Sequence, residues 1–251
     1  MAHTLVAWDE SQDTAGALLA MEAVVDQSVT TNDDDVLVPG WALSLMAIMV
    51  SGADAVRAQM TAPSLRRASQ LDVGQVDSEA LPSGIPAMLK LFDFPRLLEE
   101  GEGLRALIAE DGAGASRHII GAILGNGIDP VPDGEVETVR FAGTTTLTAN
   151  AWSICPMTPD QQLRAGAYAI VGARFQSVSG VLGRLVIPGS AFRPGGWVYR
   201  DEDDEGHEEF RYGGLGVWGT FKNTFVPQLE LLATAGDTAQ AMYLDVIRIG
   251  E

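Results

Sequence analysis

Leu37-Val-Pro-Gly40-Trp-Ala-Leu-Ser-Leu-Met-Ala-Ile48 has a counterpart in Leu163-Arg-Ala-Gly166-Ala-Tyr-Ala-Ile-Val-Gly-Ala-Arg174, and the two glycines stand 126 positions apart. In both, a glycine opens a long apolar run. Further on, Ser51-Gly52-Ala-Asp-Ala-Val-Arg57 meets Ser179-Gly180-Val-Leu-Gly-Arg184, and each run then reaches a proline, Pro63 or Pro188. Upstream, Thr31-Asn-Asp33 matches Thr158-Pro-Asp160. Downstream, Gly103-Leu104-Arg-Ala-Leu107 resembles Gln228-Leu229-Glu-Leu-Leu232, and His118-Ile-Ile-Gly-Ala-Ile-Leu-Gly125 resembles Tyr243-Leu-Asp-Val-Ile-Arg-Ile-Gly250. Each match alone is weak. Five in the same order at nearly one spacing point to an internal duplication, which decides the fold before any motif does. The expected units are 1–128 and 129–251, with Asp129-Pro-Val-Pro-Asp-Gly134 as the connection.

Within the second unit, Glu137–Phe141 and Thr144–Cys155 are rich in Thr, Val and Trp, which favour strands. Tyr168–Phe175 and Val181–Ile187 are apolar runs around Ser177-Val-Ser-Gly180, a hairpin-like connection. Short strands are also expected at Gly216–Phe221 and Ala241–Ile249. Val226–Thr234, bounded by Pro227 and Gly236, reads as a helix, and Gly103–Glu110 is its counterpart in the first unit. Thr14–Val25 looks helical by composition. Its counterpart carries Thr144-Thr-Thr146 and Trp152, so Leu18–Val25 is expected to be a strand. About eight short strands per unit describe an all-β protein of two tandem jelly-roll β-sandwiches, each with one short helix.

Composition narrows the function. A net charge of −18 argues against nucleic-acid binding, which needs a basic face for phosphates. Hydrophobic residues at 46% suffice for a real core. No apolar run reaches the roughly 18 residues of a membrane span, and Met1–Asp9 shows neither the basic start nor the apolar region of an export signal. Cys155 is the one cysteine, which excludes an intrachain disulfide.

Chemistry is sparse. His3, His118 and His207 are far apart in sequence, which disfavours a cupin-type metal site built on His-x-His. No Gly-x-Ser-x-Gly elbow is present. Gly101-Glu-Gly103-Leu-Arg-Ala106 lacks the strand–helix context that gives a dinucleotide loop its meaning. Asp201, Asp203 and Glu205 alternate before Gly206 as calcium ligands do, but the closing glutamate of that loop would fall at Tyr212. They are the weak metal candidate, and a solvated acidic loop is the plainer reading, as it is for Asp33-Asp-Asp35. Arg57 and Arg184 stand alike in the two copies and read as structural anchors. The five tryptophans are expected in the cores. No cofactor is expected, and the chain reads as a non-enzyme.

With tandem copies, no catalytic constellation and high acidity, the chain resembles the double jelly-roll major capsid proteins of tailless icosahedral viruses. The resemblance lies in architecture and repeat length across nearly the whole chain. It implies a virion subunit made in the host cytoplasm and a homotrimer whose six rolls form a pseudo-hexagonal tile. Its partners would be further copies, other virion proteins and an inner membrane beneath the shell. Pro188–Arg200 and Leu81–Leu98 are the expected contact loops. The alternative is a carbohydrate-binding β-sandwich, a virion spike or lectin-like adhesin.

Overall fold

A computed structural model describes residues 3–52, 54–65, 71–74, 87–112, 115–200 and 210–250. The described elements are strands, and none is an α-helix. They gather into two units, Leu5–Asn126 and Gly127–Glu251, and the first few residues through Thr4 belong with the latter.

The first unit runs β1 (His3–Gln12), β2 (Leu19–Ala20), β3 (Glu22–Ala23), β4 (Thr31–Asn32), β5 (Asp35–Leu37), β6 (Ser44–Gly52), β7 (Ala55–Thr61), β8 (Leu71–Gly74), β9 (Ala87–Lys90), β10 (Arg96–Leu97), β11 (Gly103–Glu110) and β12 (Ser116–Gly125). One sheet has the order β3-β1-β12-β6, with β9 and β10 both on the far edge of β6. The other runs β4-β5-β11-β7-β8, and β2 also pairs with β11. The second unit runs β13 (Val136–Gly143), β14 (Trp152–Cys155), β15 (Thr158–Pro159), β16 (Ala167–Ser177), β17 (Gly180–Val186), β18 (Gly195–Tyr199), β19 (Gly219–Lys222), β20 (Gln228–Ala233) and β21 (Gln240–Gly250). Here β15-β13-β21-β16-β19 make one layer and β14-β20-β17-β18 the other. The layers join through β18, whose first half pairs with β17 while Val198 and Tyr199 run parallel to β16.

Set aside the short extra strands and eight remain in each unit: β1, β2, β6, β7, β8, β9, β11, β12 and β13, β14, β16, β17, β18, β19, β20, β21. Numbered along the chain, both sets give the same two orders, 1-8-3-6 in one sheet and 2-7-4-5 in the other. Two Greek keys wound together over eight strands are a jelly roll. The chain is a double jelly roll, and that assignment rests on hydrogen-bonded neighbours alone.

Both expected helices are strands. Gly103–Glu110 is β11 and Gln228–Ala233 is β20, the seventh strand of each roll. Ala, Leu and Glu favour a helix in isolation, but β11 lies between β7 on one side and β2 and β5 on the other, and β20 between β14 and β17. Leu104, Ala106 and Ile108 alternate inward, the period of a strand. Leu18–Val25 divides into β2 and β3 around buried Met21, because the chain crosses there from one sheet to the other. Only the last four residues of Thr144–Cys155 are strand. The Ser177–Gly180 connection is not a hairpin: β16 and β17 do not pair and lie in the two layers that β18 joins, and β6 and β7 beyond Gly52 lie in different sheets. Asp237 pins that corner, accepting from Ser177 Oγ at 2.6 Å and the Val178 amide at 3.1 Å.

The first core packs Val6, Trp8, Met21, Leu45, Ile48, Met60, Leu104, Ile108, Ile120 and Leu124 between its sheets. In the second, Trp218 lies among Phe175, Phe210 and His3 with ring centroids 5.1–6.5 Å apart. Trp8, Trp197 and Trp218 are buried as expected of core residues, whereas Trp41 and Trp152 are half-buried. Gly183 of β17 faces Phe175 across the second sandwich, and a Cβ there would sit 2.8 Å from the ring. Gly183→Leu is therefore expected to cost about 2 kcal/mol or more by overpacking, while Val178→Ser at an exposed corner stays within about 0.5 kcal/mol. Urea unfolding of the two variants measures the difference.

Candidate functional site

The buried charges are the first place to look for chemistry, since an ion inside a sandwich needs a partner or a purpose. In the second roll Arg184 of β17 and Glu230 of β20 are cross-strand neighbours, and Arg184 Nε donates to Glu230 Oε2 at 2.6 Å. The guanidinium lies 3.9 Å from the Trp152 ring centroid, so its face is covered by an aromatic π-system. Arg57, expected to match it, is exposed at the start of β7 opposite Ala109. Arg184 thus anchors a strand pair, and Arg57 does not share its surroundings.

Asp245 of β21, fully buried, accepts from Arg211 Nε at 2.6 Å and Nη2 at 2.8 Å, from Thr138 Oγ1 at 2.7 Å and from the Tyr212 amide at 3.2 Å. It clamps the segment after Phe210 onto the sheet. Gly172 leaves room for this clamp: a Cβ there would lie 2.7 Å from Asp245 Oδ2 and 2.8 Å from Arg211 Cα. In the first roll His118 of β12 and Glu110 of β11 are both fully buried, with Nε2 and Oε2 3.0 Å apart. His118 is a strand residue, as its sequence context implied; Glu110 was not anticipated, because only the pairing of β11 beside β7 brings it there. Asp35 accepts from Arg105 Nε at 2.8 Å and Nη2 at 3.0 Å, so the Asp33–Asp35 run is partly an ion-pair strap. Arg117 pairs with Asp9, whose carboxyl burial raises above its ordinary range against the pull of that arginine.

Each of these groups ties strands or loops together. Cys155 is buried in β14, and burial pushes its thiol up to about 11, the character of an inert cysteine. Among the described residues, no three His, Cys, Asp or Glu side chains gather as a metal site. Asp201, Asp203, Glu205 and His207 lie outside the described residues.

Among the exposed large apolar residues, four sit at one sheet edge of the two rolls. In each roll the sixth strand ends the sheet beside the third. Next to that edge in the first roll, Phe94, on the turn from β9 into β10, and Leu97, which ends β10, are 80% and 75% exposed. In the second roll, Phe225 follows β19 at 68% exposed and Ile249 ends β21 at 46%. Here a cleft of about 330 Å³ is lined by Ala167, Pro188, Phe221, Lys222, Phe225 and Ile249. Leu97 opposes Ser44 at the start of β6, and Lys222 opposes Ala167 at the start of β16. The two patches therefore occupy corresponding places in the two rolls. Of the expected contact loops, Pro188 lines the cleft, but β18 within Pro188–Arg200 is wholly buried. Phe94 and Leu97 belong to the other loop, whose residues 81–86 lie outside the described set.

Neither a scan of family models nor a search of curated proteins finds a match. Among solved structures the chain is similar to the major capsid protein P2 from Bacteriophage PM2, at 9% identity over 98% of each chain, with a TM-score of 0.26. It is also similar to the STIV MCP, at 8% identity over 96% of this chain and 97% of that one, again with a TM-score of 0.26. In architecture the chain resembles these capsid proteins. The strand order above stands independently of both.

Arg184→Met leaves Glu230 charged and unpaired and is expected to cost about 3–5 kcal/mol, whereas Arg184→Met with Glu230→Leu recovers most of that loss; denaturant titration of both compares them. His3, fully buried against Trp218, is held down to about 3 by desolvation. The unfolded chain protonates it below about 6.5, so between these values the unfolded state carries one more proton. Stability therefore falls as pH falls, by about 1.4 kcal/mol per pH unit from this group. His3→Phe is expected to flatten the slope of unfolding free energy between pH 6 and 4 by about that amount.

Proposed function

We propose that this chain is a structural virion protein, the major capsid subunit of a tailless icosahedral shell. The observation that supports this most is the pair of jelly rolls with one strand order in one chain. Three such chains arranged about a threefold axis present six similar lobes, an outline that tiles a closed surface. The interiors suit this role, because packed cores and strand-to-strand ion pairs give rigid blocks whose edges set the contacts.

The subunit assembles as a homotrimer, and its trimers pack side by side with other virion proteins, above an inner membrane. Exposed apolar residues at corresponding sheet edges are surfaces that association would cover. The net charge of −18 keeps unassembled subunits apart in solution and makes association salt-sensitive. Its work is binding and enclosing rather than catalysis.

Light scattering of the purified protein at low and high salt tests this. A stable species near 80 kDa, three times the 26.6 kDa chain, is expected, strengthening as salt screens the acidic surfaces. A monomer at every salt and protein concentration contradicts it and redirects attention to a glycan-binding sandwich, to be screened on an oligosaccharide array.

A further inference from the structure

We infer that the apolar turn of the first roll, 91–97, docks into the cleft of the second roll of a neighbouring copy. The inference rests on the capsid-subunit reading and names the contact that would hold the trimer together. The turn Leu91-Phe-Asp-Phe94-Pro-Arg-Leu97 is short and closed by a hydrogen bond from the Phe94 amide to the Leu91 carbonyl at 3.1 Å. β9 and β10 hold it from either side on β6. It projects Phe94 and Leu97 on a supported backbone, so little ordering entropy is lost on docking. The cleft is its counterpart: concave, floored by Phe221 and Ala167, walled by Phe225, Ile249 and Pro188. An aromatic anchor seated in an apolar pocket is the commonest energetic centre of a protein interface.

Charge argues for a second copy as the occupant. The chain as a whole is strongly acidic, yet the cleft carries Lys222, and Arg248, beside Ile249, is also exposed. Arg248 spends its donors on the neutral Ala165 carbonyl, at 3.1 and 2.8 Å, so its positive charge is retained. Around the turn, exposed Asp93, Glu99 and Glu100 outnumber Lys90 and Arg96. A net-acidic tip meets an apolar cleft whose one charged lining residue is Lys222, which favours this pairing and disfavours like edges meeting. The contact joins two different surfaces, so it is heterologous: each copy gives its turn to one neighbour and its cleft to the other, and a threefold rotation closes the ring. Corresponding edges of the two rolls thereby meet in every junction.

The test uses the full chain with Phe94→Cys and Phe225→Cys, singly and together, treated with a short thiol–thiol cross-linker; buried Cys155 is the silent background. The double variant is expected to give covalent dimers and trimers and nothing larger, and each single variant none. Independently, Phe94→Ser and Phe225→Ser, both at exposed positions, are expected to weaken trimer association by about tenfold or more without lowering the melting temperature of the dissociated chain, measured at high dilution. If the unaltered protein forms trimers but the serine variants associate equally well and the double variant does not cross-link, this contact is overturned and the capsid reading stands. Cross-linking of Phe94→Cys to itself, or product confined to one chain, overturns it likewise. If the unaltered protein never associates, the capsid reading falls and takes this contact with it.

Discussion

The last strand of each roll lies hydrogen-bonded between the roll's third strand and its first, and everything else is arranged around that insertion. In the second roll β21 pairs with β13 from Val136↔Ile247 to Gly143↔Gln240 and with β16 from Ala167↔Gly250 to Ser177↔Gln240. In the first, β12 pairs with β6 from His118↔Gly52 to Gly125↔Ser44 and with β1 on its other side. The strands it joins are far apart in sequence, so much loop entropy is spent before the sheet closes. Once closed, the first, third and last strands are fixed, and the sixth is left as an outer edge.

That closure explains where the polar groups went. Asp245 is on β21 itself and binds Arg211, Thr138 and the backbone of Tyr212, so the closing strand also holds the segment that crosses it. His118 stands on the closing strand of the first roll and meets Glu110 from the seventh strand of the facing sheet. Arg184 and Glu230 tie the fourth strand to the seventh in the other sheet, under Trp152 of the second. Of these, the Arg184–Glu230 pair sits where two strands distant in sequence must find one register, the use of buried polarity with the best physical rationale.

The duplication was legible in the sequence because its markers fall at repeated corners. Ser51-Gly52 and Ser179-Gly180 lie where the chain passes from one sheet to the other, and Gly125 and Gly250 end the closing strands. About eight strands beside one helix were expected in each unit, but the helix is itself one of the eight strands that remain once the short extra ones are set aside. The seventh strands were not legible: Leu104-Arg-Ala-Leu-Ile and Leu229-Glu-Leu-Leu-Ala are helix formers locally, and only neighbours on both sides make them strands. The buried partners escaped for the same reason, since Glu110 and Glu230 look like surface acids until their strands are placed. Arg57 and Arg184 align in sequence but not in environment: Arg57 is the third residue of β7 and exposed, whereas Arg184 is the fifth of β17 and buried. The exposed edge patches carry no motif at all. Phe94, Leu97, Phe225 and Ile249 are ordinary core-forming residues in the sequence, and only the strand order leaves them at an edge.

Electron microscopy of the purified assembly, with two-dimensional averaging, tests the central claim most directly. The account predicts threefold particles with a six-lobed, nearly hexagonal outline, two lobes per chain. Isolated two-lobed particles, or assemblies with only twofold symmetry, would contradict it.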